Sequence, residues 1–368
     1  MNEIYLPPSN ITSLKSHLSN FENESKVKSV LFLMADEHHY FNKELAPILN
    51  SVTKPIIGGI FPELIFKGKR EKAGILLIPL QFELNTQIIQ LSDSSEAIFN
   101  QLEITQKNSI DSASSLFVFY DALSENKSNF TETLFNFFGT TPTYIGGGAG
   151  SLNFNSFHCI IDNTGLHKNA AIIGWTNNKI AIGAAHGWES ISSPLKVTKT
   201  NENEIIDINW KPAFEVYKEI VEAHSNKIFD DDNFFEIAKS YPLGVSKIDA
   251  EKVIRDPFKT FNNNLYLVDK VNEGEYIEIM NGNTNLLLES AKTATELAFL
   301  NSDKNEIKTT FCLDCISRAL YMQDNFNMEL DVVANKSETS GILSIGEIAN
   351  SGESVVEIFN KTIVIAIW

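Results

Sequence analysis

Cysteine is scarce in this chain. Three in 368 residues, an odd number, excludes the disulfide framework of a small secreted protein. Positive charge is short as well: 30 Lys and Arg face 47 Asp and Glu, for a formal net charge of −17. No run of Lys and Arg interrupts that excess. Such a surface repels phosphate backbones and anionic lipid, so neither nucleic acid nor a membrane surface is expected as a partner. No apolar stretch reaches the roughly 18 residues of a membrane-spanning helix. The opening MNEIYLPPSNITSLKSHLSN has neither the basic start nor the apolar core of a signal peptide, so the expected address is the cytoplasm. Low-complexity segments are absent apart from a general richness in Asn, and no repeat of 20–50 residues stands out.

What is present is ordinary for a folded protein: 43% hydrophobic and 21% charged residues, in a chain long enough for two domains or one large one. Apolar strands are expected at 28–34, 54–59, 72–79 and 114–120, with a helix at 41–51 after the first and another at 128–138 after the last. This strand–helix–strand order marks an α/β layer. Gly58-Gly59 and Gly146–Gly150 each follow an apolar strand and are expected to end it in a tight turn. From Ser156 to Gly187, FHCIID, AAIIGW and KIAIGAAHGW follow one another with Asn-rich turns, which predicts a β-meander. Pro212 opens an amphipathic helix that runs to His224. Residues 200–210 are the best boundary, so the expected fold is α/β (α+β): two intertwined halves, 28–205 and 206–368, with mixed or antiparallel sheets flanked by helices.

Several clusters invite chemistry. Asp36-Glu37-His38-His39 resembles a ligand set, but neighbours on a strand end point in opposite directions and rarely converge on one ion. No H-E-x-x-H helix supports it, so no metal is expected. The phosphate fingerprint G-x-x-x-x-G-K-S/T is absent, so no nucleotide cofactor is expected either. Cys312-Leu-Asp-Cys315 is C-x-x-C, yet it lies in an apolar strand rather than opening a helix. Cys315 sits near a strand-to-helix turn with Ser317 and Arg318 close by. There it is either a thiolate nucleophile stabilised by Arg318 or plain packing. His186 and Trp188 end a strand, as a titratable tip and a flat apolar wall. Arg255, Asp256 and Glu347 are charged residues beside apolar strands, where an Arg–carboxylate pair is the default.

The last sixty residues carry the most specific pattern: Cys315-Ile-Ser-Arg318, an acidic Glu329, the Gly346-Glu347 step, and Asn360-Lys361-Thr362 opening a final apolar strand. Upstream lie Ile57-Gly58-Gly59, Gly146–Gly150, His186-Gly-Trp188, Pro212 to Tyr217, Tyr241-Pro242, Arg255-Asp256-Pro257, Glu273-Gly-Glu275 and Gly282-Asn283. In number and order these resemble the FIST domain, with its N-terminal and C-terminal segments, over about residues 28–368. The resemblance implies a sensory protein of signal transduction that binds a small ligand, with amino acids and related metabolites as the class. It also implies bacterial signalling partners such as the histidine kinase or response regulator of a two-component system. No kinase, methyl-accepting, cyclase or F-box segment is seen, so the signal is expected to leave through a separate protein. The resemblance assigns no ligand residues. From the strand ends themselves the expected lining is Gly58, Gly59, Gly147, His186, Trp188, Cys315, Arg318, Glu347 and Asn360, with Arg318 paired to Glu347. The alternative is a Cys-dependent hydrolase or transferase using Cys315, with Arg318 beside it.

Overall fold

The computed structural model describes residues 2–8, 11–38, 42–106, 113–247, 252–302, 309–350 and 355–368. It is an α/β protein built from one unit used three times. Each unit opens with an edge strand and a helix: Ile4–Leu6 and Ile11–Asn23, Asn85–Gln90 and Ser95–Gln106, Ala181–Ala185 and Thr284–Asn301. A buried strand follows: Ser29–Ala35, Ser115–Asp121 or Thr310–Cys315. A helical crossover then leads to a second strand parallel to it: Ile56–Phe61, Thr143–Ala149 or Thr339–Ser344. The last strand of each unit, Ile75–Leu80, Ala170–Thr176 or Ile363–Ile367, returns antiparallel to the first of that pair. SVLFLMA and SLFVFYD are buried throughout, and strands covered on both faces read as unbroken apolar runs.

Hairpins lock the units together. The first unit's Glu63–Phe66 pairs with Thr339–Ser344, the second unit's Ile160–Asp162 with Ile56–Phe61, and the third unit's Glu347–Asn350 with Thr143–Ala149. Each six-stranded sheet therefore combines four strands of one unit with a hairpin from another, and the exchange closes in a ring. One side chain position repeats for a steric reason. Gly58, Gly146 and Gly341 lie opposite Phe32, Val118 and Cys312. A Cβ on any of the three would come within 1.7–1.8 Å of the facing carbonyl oxygen. Phe32, Phe61, Phe117, Phe119, Phe311 and Leu313 from the three sheets share one core, where each buried Phe contributes about 1.5–3 kcal/mol. Trp368 closes that core against Phe117 and Phe311, with ring centroids at 5.7 and 5.8 Å.

The third unit is interrupted. Between Ala185 and Thr284 the chain builds a nine-stranded antiparallel sheet from Glu189 to Asn281. Helices Ala213–Ser225 and Phe234–Ala238 pack on one of its faces around Tyr217, Phe229 and Phe234. The segments entering and leaving it run side by side, with Glu189 opposite Asn281. Gly187 in the entering segment has φ +74°, and a side chain there would strike Leu286 O at 2.6 Å.

Two sequence expectations change. Gly58 and Gly59 do not end their strand, and neither does Gly147: they lie inside Ile56–Phe61 and Thr143–Ala149, where close backbone approach requires them. The stretch 156–187 is not a meander, because Ile160–Asp162, Ala170–Thr176 and Ala181–Ala185 enter three different sheets. Residue 205 lies in Glu204–Ile208, inside a hairpin of the inserted sheet.

Candidate functional site

The parallel pair of the third unit ends at Asp314-Cys315 and Ser344, on the side where the inserted sheet docks. Open α/β sheets hold ligands beyond such carboxyl ends. Gly147 brings the neighbouring sheet close: a Cβ on it would lie 2.9 Å from Ser344 Oγ. Glu347 stands directly opposite Gly147 in the same ladder.

Arg318 lies in helix Ile316–Met322 and is fully buried. Its Nε and Nη2 donate to Glu329 at 3.0 and 2.7 Å, a bidentate pair. Its Nη1 donates to His186 O at 2.6 Å and Lys361 O at 3.4 Å. Nη2 also reaches Leu287 O and Ser290 Oγ, both at 3.1 Å. A guanidinium has five N–H donors, and all are engaged. Arg318 therefore braces the fold: it ties both connections of the inserted sheet to helix Phe326–Ala334 and leaves no donor for a ligand.

Beside this brace, burial favours the neutral form of two acids, Asp314 and Glu347. Burial, reinforced by Glu329, pushes the Asp314 carboxyl far above the usual range. Burial does the same to Glu347, against the Ser344 hydroxyl that donates to it at 2.9 Å. Burial and the neighbouring Glu347 raise the Cys315 thiol to about 12, and Ser317 Oγ lies 3.1 Å from its Sγ. At neutral pH Cys315 is a thiol, not a thiolate. Burial, then Arg318 and Lys252, lower His186 to about 4, so its ring is neutral. His186 Nδ1 accepts from Trp188 N at 2.9 Å.

A second set of charges joins the inserted sheet to the body. Lys361, fully buried, places Nζ 3.2 Å from Asp256, 3.0 Å from Lys239 O and 5.0 Å from the Trp188 ring centre. Asn360 donates to Asp269 at 2.7 Å, and Lys127 pairs with Asp269 at 2.9 Å. Burial alone would raise Asp269, but Lys127 and Arg255 outweigh it and hold the carboxyl below its ordinary value. Arg255 donates to Ile358 O at 2.8 Å and meets Glu357 at 3.2 Å. The Oδ1 atoms of Asp256 and Asn360 are buried acceptors with no hydrogen bond.

Beside this set lies a cavity of about 180 Å³. From the body it is lined by Ser128, Thr131, Glu132 and Val355–Ile358. The inserted sheet contributes Lys247, Arg255, Asp269, Lys270 and Glu275. Charges of both signs thus face one small volume.

The structure gathers Gly147, His186, Trp188, Cys315, Arg318, Glu347 and Asn360 around the end of the third unit. Gly58 and Gly59 lie elsewhere, mid-strand in the first sheet. The expected Arg318–Glu347 pair is replaced by Arg318–Glu329, because Glu329 projects from the helix packed over the guanidinium while Glu347 turns to Ser344. Cys312 and Cys315 share one strand at an odd separation, so their side chains take opposite faces and form no redox pair. Asp36 accepts from Ser151 Oγ, and His39 lies outside the described residues. Among the described residues no group of three His, Cys, Asp or Glu is placed to hold a metal. Sequence reasoning missed Lys127, Asp269, Asp314 and Lys361. A charged residue inside an apolar run, as in TFCLDC or NKTIVIAI, was the available signal.

Comparison with known proteins gives a consistent family. The FIST N domain matches residues 29–211 and the FIST C domain residues 213–350. No curated protein matches the sequence. Among solved structures, a chorismatase crystal structure aligns over 94% of this chain and 94% of its own, at 6% identity and a TM-score of 0.33, too distant a likeness to bear on chemistry. Among the described residues no helix is long and apolar enough to cross a membrane. With both of its segments present in order across the three-unit body and the inserted sheet, the chain belongs to the FIST family of signal-transduction sensor domains.

Proposed function

We propose that this chain is a cytoplasmic sensor that takes an amino acid or a related zwitterionic metabolite into the cavity between its inserted sheet and its three-unit body. The observation that carries the reading is the lining of that cavity: Lys247, Arg255 and Lys270 against Glu132, Asp269, Glu275 and Glu357. Cations and carboxylates facing one volume suit a ligand that carries both charges. At about 180 Å³ the space is below the 300–1,000 Å³ of sites for drug-sized ligands, which favours a metabolite.

The two walls belong to the inserted sheet and to the body, joined by two adjacent connections, by hydrogen-bonded charges and by Ile254 and Met280 packed into the body's core. Polar contacts between domains favour relative motion more than large apolar ones do. A ligand bridging both walls stabilises one setting of the inserted sheet, and that setting is what a separate signalling protein, such as a histidine kinase or response regulator, reads. No observation favours catalysis by Cys315, whose thiol is buried and held near 12.

A thermal-shift screen against amino acids and related metabolites tests this. A ligand at 100 times its dissociation constant adds about 2.7 kcal/mol of stability. Lys270→Ala removes one rim charge and leaves the ion pairs intact, and Glu275→Gln removes another together with its 3.6 Å pair with Lys247; each is expected to weaken binding at least tenfold. A flat response across the whole panel sinks the proposal.

A further inference from the structure

The inserted sheet has a second surface that the ligand cavity does not use. Its helices cover one face, burying Leu195, Ile205, Leu265 and Ile277. The alternate residues face the other way. Near the body that outer face is covered, with Ile254 and Met280 in the body's own core. Farther out it is open. There Tyr276 stands opposite Lys196, Tyr266 opposite both Glu204 and Lys259, and Phe261 opposite Asn264. Residues opposite each other in a ladder share a face, so these form one surface.

Trp210 adds the most unusual feature. Asp207 pairs with Pro212 and Ile208 with Lys211, which leaves Asn209-Trp210 as a two-residue turn. Their φ angles are 50° and 59°. This turn type favours Asn followed by Gly, because both central residues take left-handed backbone. A Trp in the glycine position is strained, and at 77% exposure it has no burial to offset that strain. The turn is nonetheless fixed. Trp210 N donates to Thr198 Oγ1 at 3.0 Å, and Lys196 N donates to Asn209 Oδ1 at 2.9 Å. Lys196 Nζ then lies 5.9 Å from the indole.

We propose that this outer face, with Trp210, Phe261, Tyr266 and Tyr276 around Lys196 and Lys259, is a docking surface for a partner protein that presents carboxylates among apolar side chains. Exposed aromatics held in place are what interface anchors are made of. Phe261 is 56% and Tyr276 50% exposed. The lysines supply the charge preference. Lys259 Nζ lies 5.7 and 5.6 Å from the Phe261 and Tyr266 rings, and no described carboxylate pairs with Lys196 or Lys259. Of the acids on this face, Glu204 is occupied by Asn264 at 2.7 Å and Glu278 by Lys252 at 3.4 Å. A cationic, aromatic patch on a chain of net charge −17 selects an acidic occupant. Self-pairing about a two-fold axis would set a surface with unpaired lysines against its own copy, which disfavours a second copy of this chain. The face is continuous with the seat of the inserted sheet on the body, so a partner bound here senses that sheet's position.

The test is isothermal titration of the full chain with a short synthetic peptide of glutamate interspersed with leucine and phenylalanine, beside its lysine counterpart. The glutamate peptide is expected to bind, more weakly as salt rises, and the lysine peptide not to bind. Trp210→Gly and the double variant Lys196→Glu/Lys259→Glu should each weaken binding at least tenfold. Trp210→Gly should at the same time raise the thermal midpoint, since glycine relieves the left-handed strain, so lost binding cannot be ascribed to misfolding. Lys270→Ala, which alters the ligand cavity, should bind the peptide as the parent does; failure of the ligand reading thus leaves this one standing. Failure of the glutamate peptide to bind, equal binding by both peptides, or unchanged binding in both variants overturns the proposal. So does Trp210-dependent self-association in sedimentation, or binding to phosphatidylglycerol vesicles in place of the peptide.

Discussion

The first and third units share one fold and differ in what they place at the same points. Two and three residues past Phe32 come Met34 and Ala35; the same steps past Cys312 reach Asp314 and Cys315. Three past Gly58 is Phe61, and three past Gly341 is Ser344. All six are buried. In the first unit they fill an apolar core, and in the third they meet Arg318, Glu329 and Glu347. The scaffold is thus indifferent to which unit carries polar chemistry. The inserted sheet sets the third apart, by supplying Asp256, Asp269 and Arg255 to face those strand ends.

The sharpest way to break this comparison is to remove a cation from each unit. Arg318→Ala strands Glu329 without its partner and is expected to cost about 3–5 kcal/mol in denaturant unfolding. The first unit's Arg70, bidentate to Glu63 but with a partly exposed side chain, should cost only about 1 kcal/mol on the same substitution. Equal losses would erase the distinction.

A pH series is the next largest lever. His186 is held near 4 in the fold against about 6.5 unfolded. Below 6.5 the unfolded chain takes up a proton that the folded chain refuses. Stability from this group is therefore complete above 6.5 and lost as pH falls toward 4, by about 3 kcal/mol in total. His186→Gln should flatten that part of the stability curve. An unchanged slope would place the ring in solvent.

The smallest expected effect sharpens the role of the inserted sheet. Asn360→Ala removes the 2.7 Å bond to Asp269 but leaves Lys127 in place, so the loss should be about 1–2 kcal/mol. Hydrogen exchange should rise in the inserted sheet more than in the body. Uniform loosening of both would show that the sheet does not respond as a separate unit.

Much of the layering was legible from local pattern. The strands at 29–35, 115–121 and 310–315 announce themselves as apolar runs, and Pro212 marks the helix start at Ala213. The repeat was not legible. Its unit is longer than 20–50 residues, its third copy is split by 189–281, and one glycine is the close-approach position common to all three copies. Of the candidate site, the polar cluster at the end of the third unit was legible and the cavity beside it was not, since none of the residues expected as lining faces that cavity. His186, Trp188, Cys315, Arg318, Glu347 and Asn360 were picked out as polar or special residues at strand ends, and they do gather. Their pairing was not, because Glu329 and Lys361 reach the cluster from elements distant in the chain.

By itself the sequence determined the α/β class, the acidic surface and the membership of a sensor family, since composition, local periodicity and ordered short motifs are properties of the chain alone. Only the tertiary structure decided that hairpins exchange between three sheets and that Arg318 is saturated rather than open to a ligand. It alone also made Gly58 a point of close backbone approach and put an exposed Trp210 where glycine belongs. Each of those depends on which groups meet across long separations, and a buried charge or a missing Cβ acquires its meaning only from the atoms that end up beside it.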